Sequence, residues 1–256
     1  MRIIDAHTHP IMFREGAKPA EVRWLLAHAR RQGIVKMVGL GDVLLHGRSP
    51  TLEQIRVIND ESARVQRLAP DFFKFFCFVN PLHGERAVMA EVERCVSEFG
   101  FIGIKLEICN NARDACMGPV MEAARRFQLV VLQHSWSQTI IRQRSYHTDP
   151  ADTAVLARRH PDVPIIMAHL TGCGVRGVLE AKGLPNLWVD TSGGLPDDGL
   201  IEFAVEHLGA DRVIYGSDLP GRSTGVAIHR VRGTQLSARE KRMILHDNAA
   251  RLLQLA

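Results

Sequence analysis

Short apolar runs alternate with helically spaced segments from one end of the 256-residue chain to the other. Ile3-Ile4 opens a first strand, and Pro10, which has no N–H to give to a ladder, ends it. Lys18 to Gln32 places Val22, Leu25, Leu26 and Ala29 on one helical face, with Gly33 as C-cap. Ile34 to Leu40 reads as the second strand. Ser49-Pro50 predicts an N-cap and first-turn proline for a helix reaching Ala69, just before Pro70. Phe72 to Val79 is a nearly unbroken aromatic and β-branched run, as in a strand buried on both faces. Glu85 to Phe99 is the next helix, ended by Gly100. Phe101 to Ile108 and Leu129 to His134 are the fourth and fifth strands, separated by a helix over Asp114 to Phe127. After a loop from Ser135 to Thr148, Asp149 caps a helix that starts at Pro150 and runs to His160. Val163 to His169, Leu187 to Asp190 and Arg212 to Asp218 complete eight strands. Helices over Val175 to Lys182 and Asp198 to Leu208 lie between them. Ser237 and Glu240 form a capping box before a leucine-rich terminal helix.

Eight strands alternating with helices over about 250 residues match a single (β/α)8 TIM barrel, an α/β fold. No linker, repeat or low-complexity tract interrupts residues 1–256, so one domain is expected. An open doubly wound sheet is the runner-up. It does not explain why polar residues end strands far apart in sequence. In a barrel those positions converge, because the active site is built at the C-terminal ends of the strands. They are His7 and His9, Asn80, Lys105 and Glu107, His134, His169, Asp190 or Ser192, and Asp218. Residues two apart on a strand face the same way, so His7 and His9 project together and could share a cation. Read alone, His134 could equally be a hydrogen-bonded core histidine and Asp218 a turn residue. Ending otherwise apolar strands, such groups are costly to bury unless paired or metal-bound.

Composition narrows the partners. Hydrophobic residues are 46% and charged residues 23% of the chain, which excludes disorder. The net charge of +4 is modest and the arginines are scattered, so no nucleic-acid face is expected. No apolar run approaches the roughly 18 residues of a membrane span. Asp5 and His7 interrupt any leader-like apolar region, so a cytoplasmic location is expected. The five cysteines, with no CxxC pair, read as reduced thiols, and Cys109 and Cys116 carry no nucleophilic Cys–His signature.

The segments Asp5-Ala6-His7-Thr8-His9, His134, Ala168-His169-Leu170 and Tyr215-Gly216-Ser217-Asp218 resemble the amidohydrolase superfamily. More narrowly they resemble its amidohydrolase-2 branch, and Asn248 to Leu253 is similar to that branch's terminal helix. The resemblance covers the whole chain. It implies that His7, His9, His134 and Asp218 are metal ligands, and that His169 binds a second metal or polarises substrate. As in the binuclear members, it implies a carboxylated Lys105 that bridges two ions, whereas many members of the branch lack that lysine and use one metal. Read from the residue alone, Lys105 points to the outside or is an unmodified cation paired with Glu107 or a substrate carboxylate. Asp5 is an expected acceptor for an imidazole N–H. Where the branch often has a glycine pair after the strand-six histidine, this chain has Thr171-Gly172.

These parts predict a metal-dependent hydrolase of a small amide, lactone or ester. The divalent cation, zinc by its mixed nitrogen and oxygen donors and manganese as the alternative, would acidify a bound water. Asp218 would shuttle the proton and His169 would stabilise the oxyanion. The alternatives are a nonoxidative decarboxylase of a small, aromatic carboxylic acid and a barrel that binds a metabolite without catalysis. A bridging Lys105 would favour hydrolysis. Trp136, Arg142, Arg144, Tyr146 and His147 after strand five suit a carboxylated or aromatic substrate. The oligomeric state stays open.

Overall fold

The computed structural model describes residues 1–10, 16–41, 45–137, 145–194 and 197–255. Its strands are β1 (Ile3–Thr8), β2 (Ile34–Gly39), β3 (Phe73–Phe78), β4 (Gly103–Leu106), β5 (Val130–Gln133), β6 (Ile165–Met167), β7 (Leu187–Asp190) and β8 (Val213–Ile214). The helices are α1 (Pro19–Arg31), α2 (Leu52–Leu68), α3 (Glu85–Phe99), α4 (Gly118–Phe127), α5 (Pro150–Arg159), α6 (Leu170–Ala181), α7 (Leu200–Leu208), α8 (Thr224–Arg232), α9 (Ala238–Arg242) and α10 (Asn248–Leu252). All eight strands are parallel neighbours in sequence order. Closure comes from the stretch after β8: Ala6 donates its N–H to the Tyr215 carbonyl (3.0 Å), and Asp218 donates to the His7 carbonyl (2.8 Å). The result is the expected (β/α)8 barrel, with both ends of the chain zipped together at the site.

Period-two alternation sorts the strand residues into two layers. Ile4, Ala6, Val38, Phe76, Leu132 and Ile166 form an inner cluster together with Ala249 and Leu253 of the C-terminal segment. Ile3, Met37, Phe75, Ile104, Val131 and Ile165 pack outward against the helices.

Several boundaries differ from the sequence reading, each for a local reason. Helix α2 is capped by Thr51, not Ser49: the Thr51 hydroxyl accepts from Gln54 N–H and the Gln54 amide oxygen accepts from Thr51 N–H. Helix α6 starts at Leu170, five residues early, because Gly174 (φ 63°) kinks one helix that the spacing had suggested began after it. Helix α8 was not anticipated; Ser223 caps it by accepting from Val226 N–H. The terminal helix is two short helices joined by a π turn over Met243–Asp247. Among the described residues no helix is long and apolar enough to cross a membrane.

Candidate active site

His7 is fully buried at the end of β1. Its Nδ1 lies 2.8 Å from Asp190 Oδ2 at the end of β7, so the ring proton sits on Nδ1 and donates to that carboxylate. The Nε2 lone pair is thereby turned toward His9 and Asp218. His9 is arranged the same way by different partners: its Nδ1 faces the carbonyl oxygens of Gly41 (2.9 Å) and Leu40 (3.1 Å). The two Nε2 atoms are 3.3 Å apart, and Asp218 Oδ1 lies 3.7 and 3.8 Å from them. Two imidazole lone pairs and a carboxylate facing one another repel unless a cation lies between. Their separations are close to the roughly 3.3 Å edge of a tetrahedron with metal–nitrogen bonds of about 2.0–2.1 Å. The donor set therefore fits a divalent ion.

A second group of possible ligand atoms, from His7, His169 and Asp190, shares His7 with the first. His169 Nδ1 is 2.9 Å from Ser192 Oγ, and the His169 backbone N–H donates to Asp190 Oδ1 (3.1 Å). His169 (φ 66°) and Asp218 (φ 63°) both hold left-handed backbone conformations. For non-glycine residues this costs on the order of 1–3 kcal/mol, and the surrounding hydrogen bonds impose it where side chains must be aimed.

Two further residues expected in the coordination shell, His134 and Lys105, both contact Glu107. His134 Nδ1 lies 3.0 Å from Glu107 Oε1 and 3.1 Å from His169 Nε2. Lys105, with a side chain 0% exposed, is paired with Glu107 Oε2 at 2.9 Å. A buried ammonium requires a counter-charge, and Glu107, two residues on and on the same face, supplies it. Asp5 also departs from expectation. Its Oδ1 accepts from the backbone N–H groups of Ser217 (2.9 Å) and His7 (3.4 Å), tying the chain ends together, while Asp190 is the acceptor for the imidazole.

Asn80 is structural: its side chain caps the turn that follows by accepting from Leu82 N–H (3.1 Å). Cys109 is no nucleophile, since burial and the nearby Glu107 charge push its thiol up to about 12. All five cysteines are free thiols. Gly172 lies under Trp136, whose ring would collide with a Cβ at that position, and Trp136 in turn packs 5.7 Å from the His169 ring. Here the single glycine of Thr171-Gly172 admits an indole to the rim. Tyr146 stacks under the Arg48 guanidinium at 4.1 Å, joining the loops after β2 and β5. Arg142 and Arg144 lie outside the described residues. Beside His9 is a mostly apolar cavity of about 430 Å³, bounded among the described residues by Pro10, Val22, Trp24, Leu25 and Leu219.

Burial favours the neutral form of His9, His134 and His169, the form that metal binding requires. It pulls His9 and His134 down to about 4, helped for His9 by the His7 and Lys105 charges and opposed for His134 by Glu107. His169 is held well below the usual histidine range by burial and by the neighbouring His134 and His7. Burial alone would raise Glu107, but His134 and Lys105 outweigh it and bring its carboxyl down to about 2. Asp5 goes the other way, raised to about 7 by burial against the Ser217 hydrogen bonds.

A pH dependence follows. Between pH 6.5 and about 4 the unfolded chain binds protons that folded His9 and His134 refuse, so stability is lost as pH falls through that window. Asp5 contributes with opposite sign, losing stability as pH rises from about 4 toward 7. The histidines outnumber it, so urea midpoints of metal-free protein should drop from pH 6.5 to 4.5. Asp5→Asn should steepen that drop. Midpoints that stay flat or rise on acidification would contradict the neutral, buried imidazoles.

A barrel whose first, seventh and eighth strands bring two histidines and two aspartates to one rim defines a metal-dependent enzyme class. The Amidohydrolase family model of the amidohydrolase-2 branch matches residues 4–255, and the chain belongs to that family. Over 261 aligned residues it is 24% identical to gamma-resorcylate decarboxylase of Rhodococcus jostii (strain RHA1), covering 81% of this chain and 78% of that protein. The fold is shared with 2,6-dihydroxybenzoate decarboxylase from Rhizobium, with a TM-score of 0.78, 18% identity, and 100% and 99% of the two chains covered. It is also shared with a dihydroxybenzoic acid decarboxylase from Polaromonas sp. JS666 holding manganese and the inhibitor 2-nitroresorcinol. There the TM-score is 0.72 at 17% identity, covering 99% of this chain and 97% of that one.

The geometry makes Asp190 a test of how the ligands are held. Asp190→Asn should weaken metal affinity about 10- to 100-fold, because the amide no longer fixes the His7 proton on Nδ1. Metal titration with a competing chelator checks this. An unchanged affinity would show that the His7–Asp190 pair is only structural.

Proposed function

We propose that this chain is a metal-dependent, nonoxidative decarboxylase of a small aromatic carboxylic acid, working as one catalytic domain in the cytoplasm. The observation that carries the reading is the buried pair of Lys105 with Glu107, a lysine cation held beside the histidines of the rim. A bridging Lys105 would slightly favour hydrolysis, whereas a buried lysine cation at the rim suits an acid substrate better. The decarboxylase relatives support the same choice, and the manganese in one of them favours that ion over zinc.

His7, His9 and Asp218 would hold the ion, with His134 joining through Nε2, the nitrogen left as acceptor when Nδ1 donates to Glu107. The ion would supply a Lewis acid that anchors and orients the acid's oxygens. The cavity beside His9 offers an apolar wall for the ring. Asp218, at the rim with a side chain 19% exposed, is placed to hand a proton to the ring carbon bearing the carboxyl group. The carbon–carbon bond pair stays with the ring, carbon dioxide leaves, and Asp218 regains its proton from solvent. The neutral His169, held by Ser192 and in contact with Trp136, orients the ring above the site.

The test is incubation of manganese-loaded protein with 2,6-dihydroxybenzoate in deuterium oxide. The expected products are carbon dioxide and resorcinol carrying one new ring deuterium. Hydrolysis of lactones or N-acyl compounds with solvent oxygen incorporation, and no carbon dioxide from any benzoate, would overturn the reading.

A further inference from the structure

The ammonium of Lys105 is a feature of the rim that the ligands His7, His9, His134 and Asp218 leave unused. On β4, Ile104 and Leu106 pack outward into the helix layer, so Gly103 and Lys105 face the barrel interior. Gly103 lies against the Phe76 ring, which leaves no room for a side chain there and puts Lys105 directly above the apolar floor. The Lys105 side chain is 0% exposed and that of Glu107 5% exposed. Glu107 Oε2, at 2.9 Å, is its counter-ion, and no other polar group among the described residues meets Lys105 Nζ. An ammonium carries three N–H donors and this one oxygen meets one of them; a buried charged donor left unmet is costly, so the position suits a second acceptor that arrives.

The direction of that acceptor is set by the neighbours. Glu107 Oε1 holds His134, and His134 touches His169, so the ammonium stands one carboxylate away from the imidazoles of the rim. Carboxylation would require the neutral amine: its nitrogen would bond to the carbon of carbon dioxide and release a proton. A carbamate on that nitrogen would also set a second negative charge against the Glu107 carboxylate, 2.9 Å away.

We propose that Lys105 remains an unmodified cation and binds the carboxylate of the acid substrate, with Glu107 fixing the ammonium in place. This rests on the decarboxylase reading for the identity of the acid but not for the binding itself. Lys105 then selects anionic over neutral ligands, as a buried point charge does.

The experiment measures dissociation constants of manganese-loaded protein for 2,6-dihydroxybenzoate and for its uncharged amide by titration calorimetry. The wild type should prefer the acid by at least roughly tenfold. Lys105→Met should weaken the acid roughly 10- to 100-fold and leave the amide unchanged, with the metal content still near one equivalent. Lys105→Arg should restore part of the loss. The double variant Lys105→Met, Glu107→Gln removes both buried charges and keeps the comparison valid if the single variant does not fold. The proposal is overturned if acid and amide bind wild type equally, or if wild type binds neither. It is also overturned if the variants lose metal together with a carbamate carbon signal seen in wild type supplied with ¹³C-bicarbonate. Acid selectivity that depends on Lys105, without carbon dioxide release, would sink the decarboxylase reading and leave this assignment standing.

Discussion

Asp218→Asn should lower kcat by about 10²- to 10⁴-fold, the range expected when a positioned proton-transfer group is lost. Metal content should fall much less. Asp218 is an outlying donor, 3.7 and 3.8 Å from the two imidazole nitrogens, whereas those nitrogens are only 3.3 Å apart. Its left-handed backbone is held by the hydrogen bond from Asp218 N–H to the His7 carbonyl (2.8 Å), which asparagine keeps. The amide can still approach an ion through its oxygen but cannot deliver a proton. Elemental analysis beside steady-state kinetics separates the two roles. A proportional fall in metal and in rate would make Asp218 a ligand only, and an unchanged rate would remove it from the chemistry.

His7→Ala should abolish stoichiometric metal binding and with it all measurable turnover. His7 belongs to both ligand groups, and its removal also takes the donor from Asp190 Oδ2, leaving that carboxylate only the donors on Oδ1. A buried acceptor left unmet costs about 1–3 kcal/mol, more when charged, so the variant should also melt earlier. His7→Gln is the companion control. If the metal-free forms of variant and wild type melt alike, and the variant still binds one equivalent, the ion is held elsewhere.

What the sequence makes legible is the set of strand ends. The pair His7 and His9 stands two residues apart after Ile3-Ile4, and each later strand delivers its polar residue where an apolar run stops. Strand periodicity also orients Lys105 and Glu107 correctly. Contacts across the barrel are less legible. Asp190 and Asp5 are both carboxylates at the rim, and spacing alone cannot tell which one reaches the His7 ring 183 residues away. Lys105 is ambiguous for a similar reason: ion bridge and ion pair use the same side chain, and the 2.9 Å approach of Glu107, which supports the pair, is a contact that spacing does not show. Helix edges fail where backbone geometry overrides pattern. Gly174 hides the first turn of α6, and the capping pair Thr51 and Gln54 competes with Ser49-Pro50 two residues earlier. Substrate chemistry is the least legible, because it depends on which rim groups are left without partners once the fold has closed.

The central claim is that side chains from the first and last strands hold one ion between them. Anomalous diffraction at the manganese edge, from crystals grown with that ion, tests it most directly. The account predicts a single strong peak about 2.0–2.2 Å from His7 Nε2, His9 Nε2 and an Asp218 oxygen. A peak bridged by Lys105, or none within reach of both His9 and Asp218, would contradict it.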